Sequence, residues 1–127
     1  MKVGIKNQIK KTVSSDLTAK AMGSGRLDVF ATPAMVAIME EAAHTSVEAE
    51  LEEGQGTVGT SMTVSHLAAT PVGMEVTCES ELVEVDGRKL VFEIKAMDEA
   101  GLIGEARHER FIIENEKFLA KTNAKLK

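Results

Sequence analysis

Four side chains in this sequence have the chemistry to form one reactive site: the Thr32 hydroxyl, the Glu40 carboxylate, the His66 imidazole and the Arg110 guanidinium. A hydroxyl, a carboxylate and an imidazole converging in an apolar setting equip a site for acyl transfer or hydrolysis. The imidazole can take a proton from water. The carboxylate can orient that water or attack directly, and the hydroxyl can hold the carbonyl or the carboxylate. Each residue also has a plain structural reading: a glutamate that snorkels to water, a histidine that sits satisfied in a core. Arg110 stays protonated, so burying it demands a counter-charge. Two partners stand open for it, Glu40 or an anionic ligand. Gly59 belongs with this set because a glycine inside a strand lets a ligand or another backbone come close, with a simple bulge as the other reading.

Thr32 and Glu40 lie in the only long helical pattern of the chain, VFATPAMVAIMEEAAHTSVEAE, residues 29–50. Thr32 is a suitable N-cap and Pro33 suits the first helical position. At about 100° per residue, Met35, Val36, Met39, Ala42, Ala43 and Val47 gather on one side, and Thr32 projects the same way. Glu40 falls at the edge of that stripe; Glu41, His44 and Glu48 lie further round. A carboxylate bordering an apolar stripe is partly desolvated and suited to acid/base work. Gly54 and Gly56 terminate the pattern. Upstream, Val3 to Val13 suggests a short strand. The run KAMGSGR, residues 20–26, reads as a loop, either a plain connection or a lid over the helix start.

After residue 56 the period becomes two. Residues 57–68 predict a strand with Val58, Met62, Val64 and His66 on one face, toward the helix. Residues 74–85 put Met74, Val76, Cys78 and Leu82 on one face and Glu75, Thr77, Glu79 and Glu81 on the other. Asp86-Gly87 signals a hairpin. Leu90, Phe92, Ile94 and Ala96 then face inward, Glu99-Ala100-Gly101 turns again, and Leu102, Gly104, Ala106, His108, Arg110 and Ile112 share a face of the last strand. The tail from Asn115 is short helix or frayed chain. A strand, a helix and four consecutive antiparallel strands bury each other only if the helix lies across the sheet. The expectation is therefore a single α+β domain, 1–127, with the hotdog fold: an antiparallel sheet of about five strands wrapped around one long central helix.

Composition narrows the function. The 127 residues are 43% hydrophobic and 28% charged, with net charge -5, which argues against a nucleic-acid partner. There is no Trp or Tyr and only four Phe, too few for a base-stacking platform. A single cysteine, Cys78, suits a reducing compartment, and it reads as a small core residue. No apolar run approaches the ~18 residues of a membrane span, and MKVGIKNQIKK lacks the apolar centre of a signal peptide. The expectation is a cytoplasmic protein with no membrane partner. The run Gly54-Gln55-Gly56-Thr57-Val58-Gly59 matches a dinucleotide fingerprint literally, but it follows a helix and opens a strand, the reverse of what phosphate binding needs. His44, His66 and His108 have no metal-ligand spacing, and no serine-hydrolase elbow is present.

Several runs resemble the fluoroacetyl-CoA thioesterase-like hotdog proteins: Val29-Phe30-Ala31-Thr32, Met35-Val36 with Met39-Glu40, Gly59-Thr60, Val64-Ser65-His66 with Ala68-Ala69-Thr70-Pro71, and His108-Glu109-Arg110. The likeness keeps its spacing over roughly residues 27–120. It implies a catalytic triad of Thr32, Glu40 and His66, with Gly59 and Arg110 lining a substrate pocket. It further implies a homodimer with active sites at the subunit interface, an acyl-CoA substrate, and no metal or redox cofactor. The segment KAMGSGRLD departs from the family, because the fluoroacetyl-specific enzyme carries phenylalanines there. A short acyl-CoA other than fluoroacetyl-CoA is the substrate this departure implies. Two other roles share the fold, a non-catalytic acyl-CoA-binding module and an enoyl-CoA hydratase.

Overall fold

The structure, a computed structural model, describes residues 1–126. Five strands, β1 (Lys6–Thr12), β2 (Gln55–His66), β3 (Glu75–Asp86), β4 (Lys89–Asp98) and β5 (Gly101–Glu114), form one antiparallel sheet in the order β1-β3-β4-β5-β2. Three helices accompany it: α1 (Ala19–Met22), α2 (Thr32–Ser46) and α3 (Asn115–Asn123). The strands from β2 onward alternate between their bulges, and one face of the sheet collects most of the apolar residues and meets α2.

The core lies between α2 and that face. Ala34, Met35, Ile38, Met39, Ala42 and Ala43 of α2 are buried against Val76, Cys78, Leu82, Leu90, Phe92, Ile94 and Ala96 of the sheet. Each large side chain sealed this way contributes about 1.5–3 kcal/mol. The buried stripe is rotated slightly from the sequence expectation: Ala34 and Ile38 take part and Val36 is half-buried. Helix α2 is also shorter than its pattern. It stops at Ser46, and Glu48–Glu50 forms a 3-10 turn, so Gly54 and Gly56 serve the entry to β2, not the helix end. Asn7 of β1 pins the far end of α2, its Nδ2 donating to the Ala42 carbonyl at 3.1 Å and to Thr45 Oγ1 at 2.9 Å.

The Asp86-Gly87 hairpin forms as expected, with Asp86 opposite Lys89 and Gly87 at φ 61°. Segment 20–26 is not all loop. Thr18 caps the single turn α1 by accepting from the Ala21 amide, and Gly23 closes it with φ 74°.

Three register shifts separate the sheet from simple alternation. One falls between Gly59 and Ser61 of β2, one between Leu82 and Glu84 of β3, and one opposite Ala96 and Met97, at Ile103 of β5. Each inserts a residue and reverses the facing of everything beyond it. In β2 the extra residue is Thr60. Thr57 and Gly59 therefore face α2 together with Met62, Val64 and His66, while Val58 turns to the outer face opposite Phe111. In β5 the shift turns Leu102 outward, opposite Met97, where it is exposed, and leaves Ile103 in the core. These correct the expected faces of Val58 and Leu102.

Candidate active site

Thr32 is the first residue of α2; the N-cap is Ala31, and no side chain caps the helix. Its hydroxyl is thus free, and it lies 2.7 Å from His66 Nδ1. The approach to this residue is held from both sides. The Ala31 amide donates to the Leu17 carbonyl and the Phe30 amide to the Thr70 carbonyl. Isolated bridges Thr18–Phe30 and Val29–Pro71 complete the strip. Thr70 is itself buried, and its hydroxyl donates to Asp98 Oδ2 at 2.8 Å, anchoring the loop to the β4–β5 turn.

His66 ends β2. The following amide, Leu67, donates to the Ile103 carbonyl at 2.7 Å and fixes the chain as it leaves the strand. Phe30 meets the imidazole edge-on, with ring centroids 6.3 Å apart and planes at 81°. Burial lowers the His66 pKa below its ordinary value, opposed by the Ala68 carbonyl, so the ring is neutral at pH 7. Its Nε2 is buried without a hydrogen-bond partner. A neutral imidazole bonded to an exposed hydroxyl is the arrangement of a general base beside a group that holds or delivers oxygen.

Glu40 stands two turns further along α2, about 12 Å along the helix axis from Thr32. Its Oε2 accepts from Arg110 NH1 at 3.2 Å and lies 3.9 Å from His108 Nε2. Its side chain is 42% exposed, so the desolvated carboxylate expected from the helix pattern is instead a half-exposed one paired with a guanidinium. That resolves the partner of Arg110 within the chain. Arg110 also donates from Nε to Thr57 Oγ1 at 2.8 Å and from NH2 to the Thr57 carbonyl at 2.9 Å. Burial lowers its pKa, opposed by the charge of Glu40. Gly59 is the open floor of this cluster: a Cβ there would lie 3.0 Å from Glu40 Oε2 and 3.2 Å from His108 Cε1. The atoms that come close to Gly59 are side chains, not a second backbone, and the bulge lies at the next residue, Thr60.

The five residues therefore fall into two groups within one chain, Thr32 with His66, and Glu40 with Arg110 and Gly59. Two members of the second group escaped sequence reasoning. Thr57 was hidden by the bulge at Thr60, which reverses its facing. His108 sat on the correct face and within the His108-Glu109-Arg110 run of the family resemblance, but carried no role of its own. It is 1% exposed, and its ring lies beside Arg110 and Phe92. Among the described residues no cluster of three or more His, Cys, Asp or Glu could hold a metal ion, and no helix is long and apolar enough to cross a membrane.

A five-stranded antiparallel sheet closed on one central helix, with one polar pair at that helix's start and a second cluster at its middle, defines a hotdog protein of the thioesterase class. The chain belongs to the fluoroacetyl-CoA-specific thioesterase family, whose model matches residues 13–116. It is 45% identical over 98 residues to a fluoroacetyl-CoA thioesterase of Streptantibioticus cattleyicolor, a span covering 77% of this chain and 70% of that one. Among solved structures, the fluoroacetyl-CoA thioesterase superposes with TM-score 0.93 at 37% identity, covering 100% of this chain and 98% of that one. A thioesterase superfamily member of Thermus thermophilus gives 0.88 at 28% identity over 95% and 90% of the two chains. A hot-dog-like protein of Thermanaerovibrio acidaminovorans gives 0.90 at 24% identity over 98% and 93%, which bears on the fold alone.

Proposed function

We propose that this protein is a cytoplasmic thioesterase that hydrolyses a short acyl-CoA, with Thr32, Glu40 and His66 as its catalytic groups and Gly59 and Arg110 lining the acyl pocket. The observation that carries this is the 2.7 Å contact between the Thr32 hydroxyl and a neutral, partly buried His66. In the reaction, His66 removes a proton from water as its oxygen attacks the thioester carbonyl. Glu40, aimed by Arg110, orients that water, and the Thr32 hydroxyl holds the carbonyl oxygen. Collapse of the tetrahedral intermediate breaks the C–S bond, and the imidazolium returns its proton to the leaving CoA thiolate.

The separation of the two groups supports a site shared between two copies. β2 is an edge strand of the sheet, and an unpaired edge is a template for another strand. Two copies joined edge to edge about a two-fold axis run antiparallel. The His66 end of one β2 then lies beside the Gly59 half of the other. Thr32 and His66 of one copy thereby meet Glu40 and Arg110 of its partner.

The lid segment favours an acyl group other than fluoroacetyl. It presents Met22 and Leu27, both exposed, and no aromatic side chain.

The test is a panel of short acyl- and enoyl-CoA esters, fluoroacetyl-CoA included, followed by free thiol and by double-bond absorbance. Thiol release is expected. Binding without thiol would mean a carrier module, and loss of the enoyl absorbance without thiol a hydratase. Glu40→Gln and His66→Ala should each lower kcat by about 10²-fold or more. Mixed after subunit exchange, the two inactive variants should regain about a quarter of wild-type turnover, because half the dimers are mixed and each holds one intact shared site. No recovery would assign all three groups to one chain.

A further inference from the structure

We propose that His108 is a positioning residue that works through Arg110: fixed in one neutral tautomer by the backbone, it holds the guanidinium where it presents to Glu40. The inference rests on the thioesterase reading of Glu40. It starts from the bulge at Thr60. Just past that extra residue, the Ser61 carbonyl lies 2.8 Å from Nδ1 of His108, which pairs with the next residue, Met62. A carbonyl only accepts, so Nδ1 carries the proton. In a neutral ring Nε2 is then a lone pair, and it lies 3.1 Å from Arg110 NH1, which only donates. The two contacts fit one protonation state and one tautomer of the histidine.

The neutral state is enforced by its surroundings. Burial lowers the His108 pKa and the Arg110 charge lowers it further, against the Ser61 carbonyl and Glu40, which raise it. The charged groups nearby are Arg110 on the same strand and Glu40 on α2; from β4 the ring faces Phe92, with centroids 6.3 Å apart. The consequence is geometric. NH1 has two protons, and the acceptors present for them are His108 Nε2 and Glu40 Oε2. Nε and NH2 are taken by Thr57. With Thr57 on one side and His108 on the other, the guanidinium plane cannot turn, and its remaining NH1 proton is directed at Glu40. Glu40 is half-exposed and would otherwise sample water freely; the direction of its carboxylate is set by an arginine that His108 locks. A histidine that merely filled the core would tolerate any side chain of its size and polarity.

Two variants separate these roles. In His108→Gln the side-chain carbonyl reaches the place of Nε2 and restores an acceptor for Arg110. In His108→Asn the shorter amide reaches only the place of Nδ1, keeping the Ser61 bond and losing the acceptor. The expected result is kcat within about threefold of wild type for Gln and about tenfold or more below it for Asn, with KM little changed in both. In an Arg110→Gln background, His108→Asn should have no further effect, because the residues act in series. Equal kcat for Gln and Asn, or additive losses with Arg110→Gln, would overturn the proposal. Nitrogen-15 NMR of the unaltered protein at pH 7 supplies an arm independent of variant folding: a protonated Nδ1 and a bare Nε2 are expected at His108, and the opposite tautomer would also overturn it. Glu40→Gln is run alongside. Full activity in that variant would fail the reading of Glu40 itself, whereas its loss together with equal Gln and Asn variants at 108 fails the positioning role alone.

Discussion

Replacing Gly59 by Ala tests the candidate site with the smallest possible change. The added Cβ would lie 3.0 Å from Glu40 Oε2, 3.2 Å from His108 Cε1 and 3.4 Å from Arg110 NH1. All three approaches are tight, and the most mobile neighbour gives way. The His108 ring is sealed and bonded to the Ser61 carbonyl, and Arg110 is held by Thr57. Glu40 is half-exposed and held at its tip chiefly by Arg110, so its carboxylate swings toward solvent. The lost contact is a single ion pair with one exposed member, worth about 1 kcal/mol or less. It is offset in part by the entropy an alanine removes from the unfolded chain, about 0.4–1 kcal/mol. The melting temperature should therefore stay within about 5 °C of wild type. Activity should suffer far more, since about 1 Å of misplacement of a catalytic group costs on the order of 10²-fold in rate. The assay is steady-state thiol release beside a thermal melt, with Thr60→Ala as control. Thr60 is the exposed neighbour, and its hydroxyl makes one 3.3 Å contact with the Glu109 carbonyl. A Gly59→Ala protein that folds and keeps wild-type kcat would refute the claim that Glu40 acts from this pocket.

Two further outcomes are expected. His66 and His108 both have folded pKa values below the ordinary histidine value. Below about pH 6.5 the unfolded chain therefore takes up protons that the folded chain refuses, and stability falls as pH drops. Urea midpoints measured between about pH 7.5 and 5.5 should decrease toward acid, and less steeply in His108→Gln; a flat or rising trend would contradict burial of neutral rings. Cys78 is buried, and burial pushes its thiol up to about 12, so iodoacetamide at about pH 8 should modify it only after denaturation. Rapid labelling of the native protein would show that the helix–sheet interface opens.

The order of elements and the identity of the core were written in local patterns. Helical spacing from Met35 to Ala43, alternation from Phe92 to Ala96 and the Asp86-Gly87 turn each specify their own geometry, and burial of one face follows. The proposed catalytic residues Thr32, Glu40 and His66 are singled out by the family resemblance, since by pattern alone each also has a plain structural reading. The bulges were not legible. An extra residue such as Thr60 has no compositional mark, yet it turned Thr57 and Gly59 toward the helix and Val58 away. The use of each polar group was also beyond local pattern. Thr32 suits a helix cap, but the close return of β2 gives its hydroxyl to His66. Arg110 had two open partners until the crossing of α2 over β5 brought Glu40 within 3.2 Å. The sequence placed His108 on the inward face and in the His108-Glu109-Arg110 run, but gave it no role until its two nitrogens met a carbonyl and a guanidinium. Periodicity sets which way a side chain points only as far as the next bulge; bulge positions, strand register and helix placement decide which polar groups meet, and those are settled only when the whole chain packs.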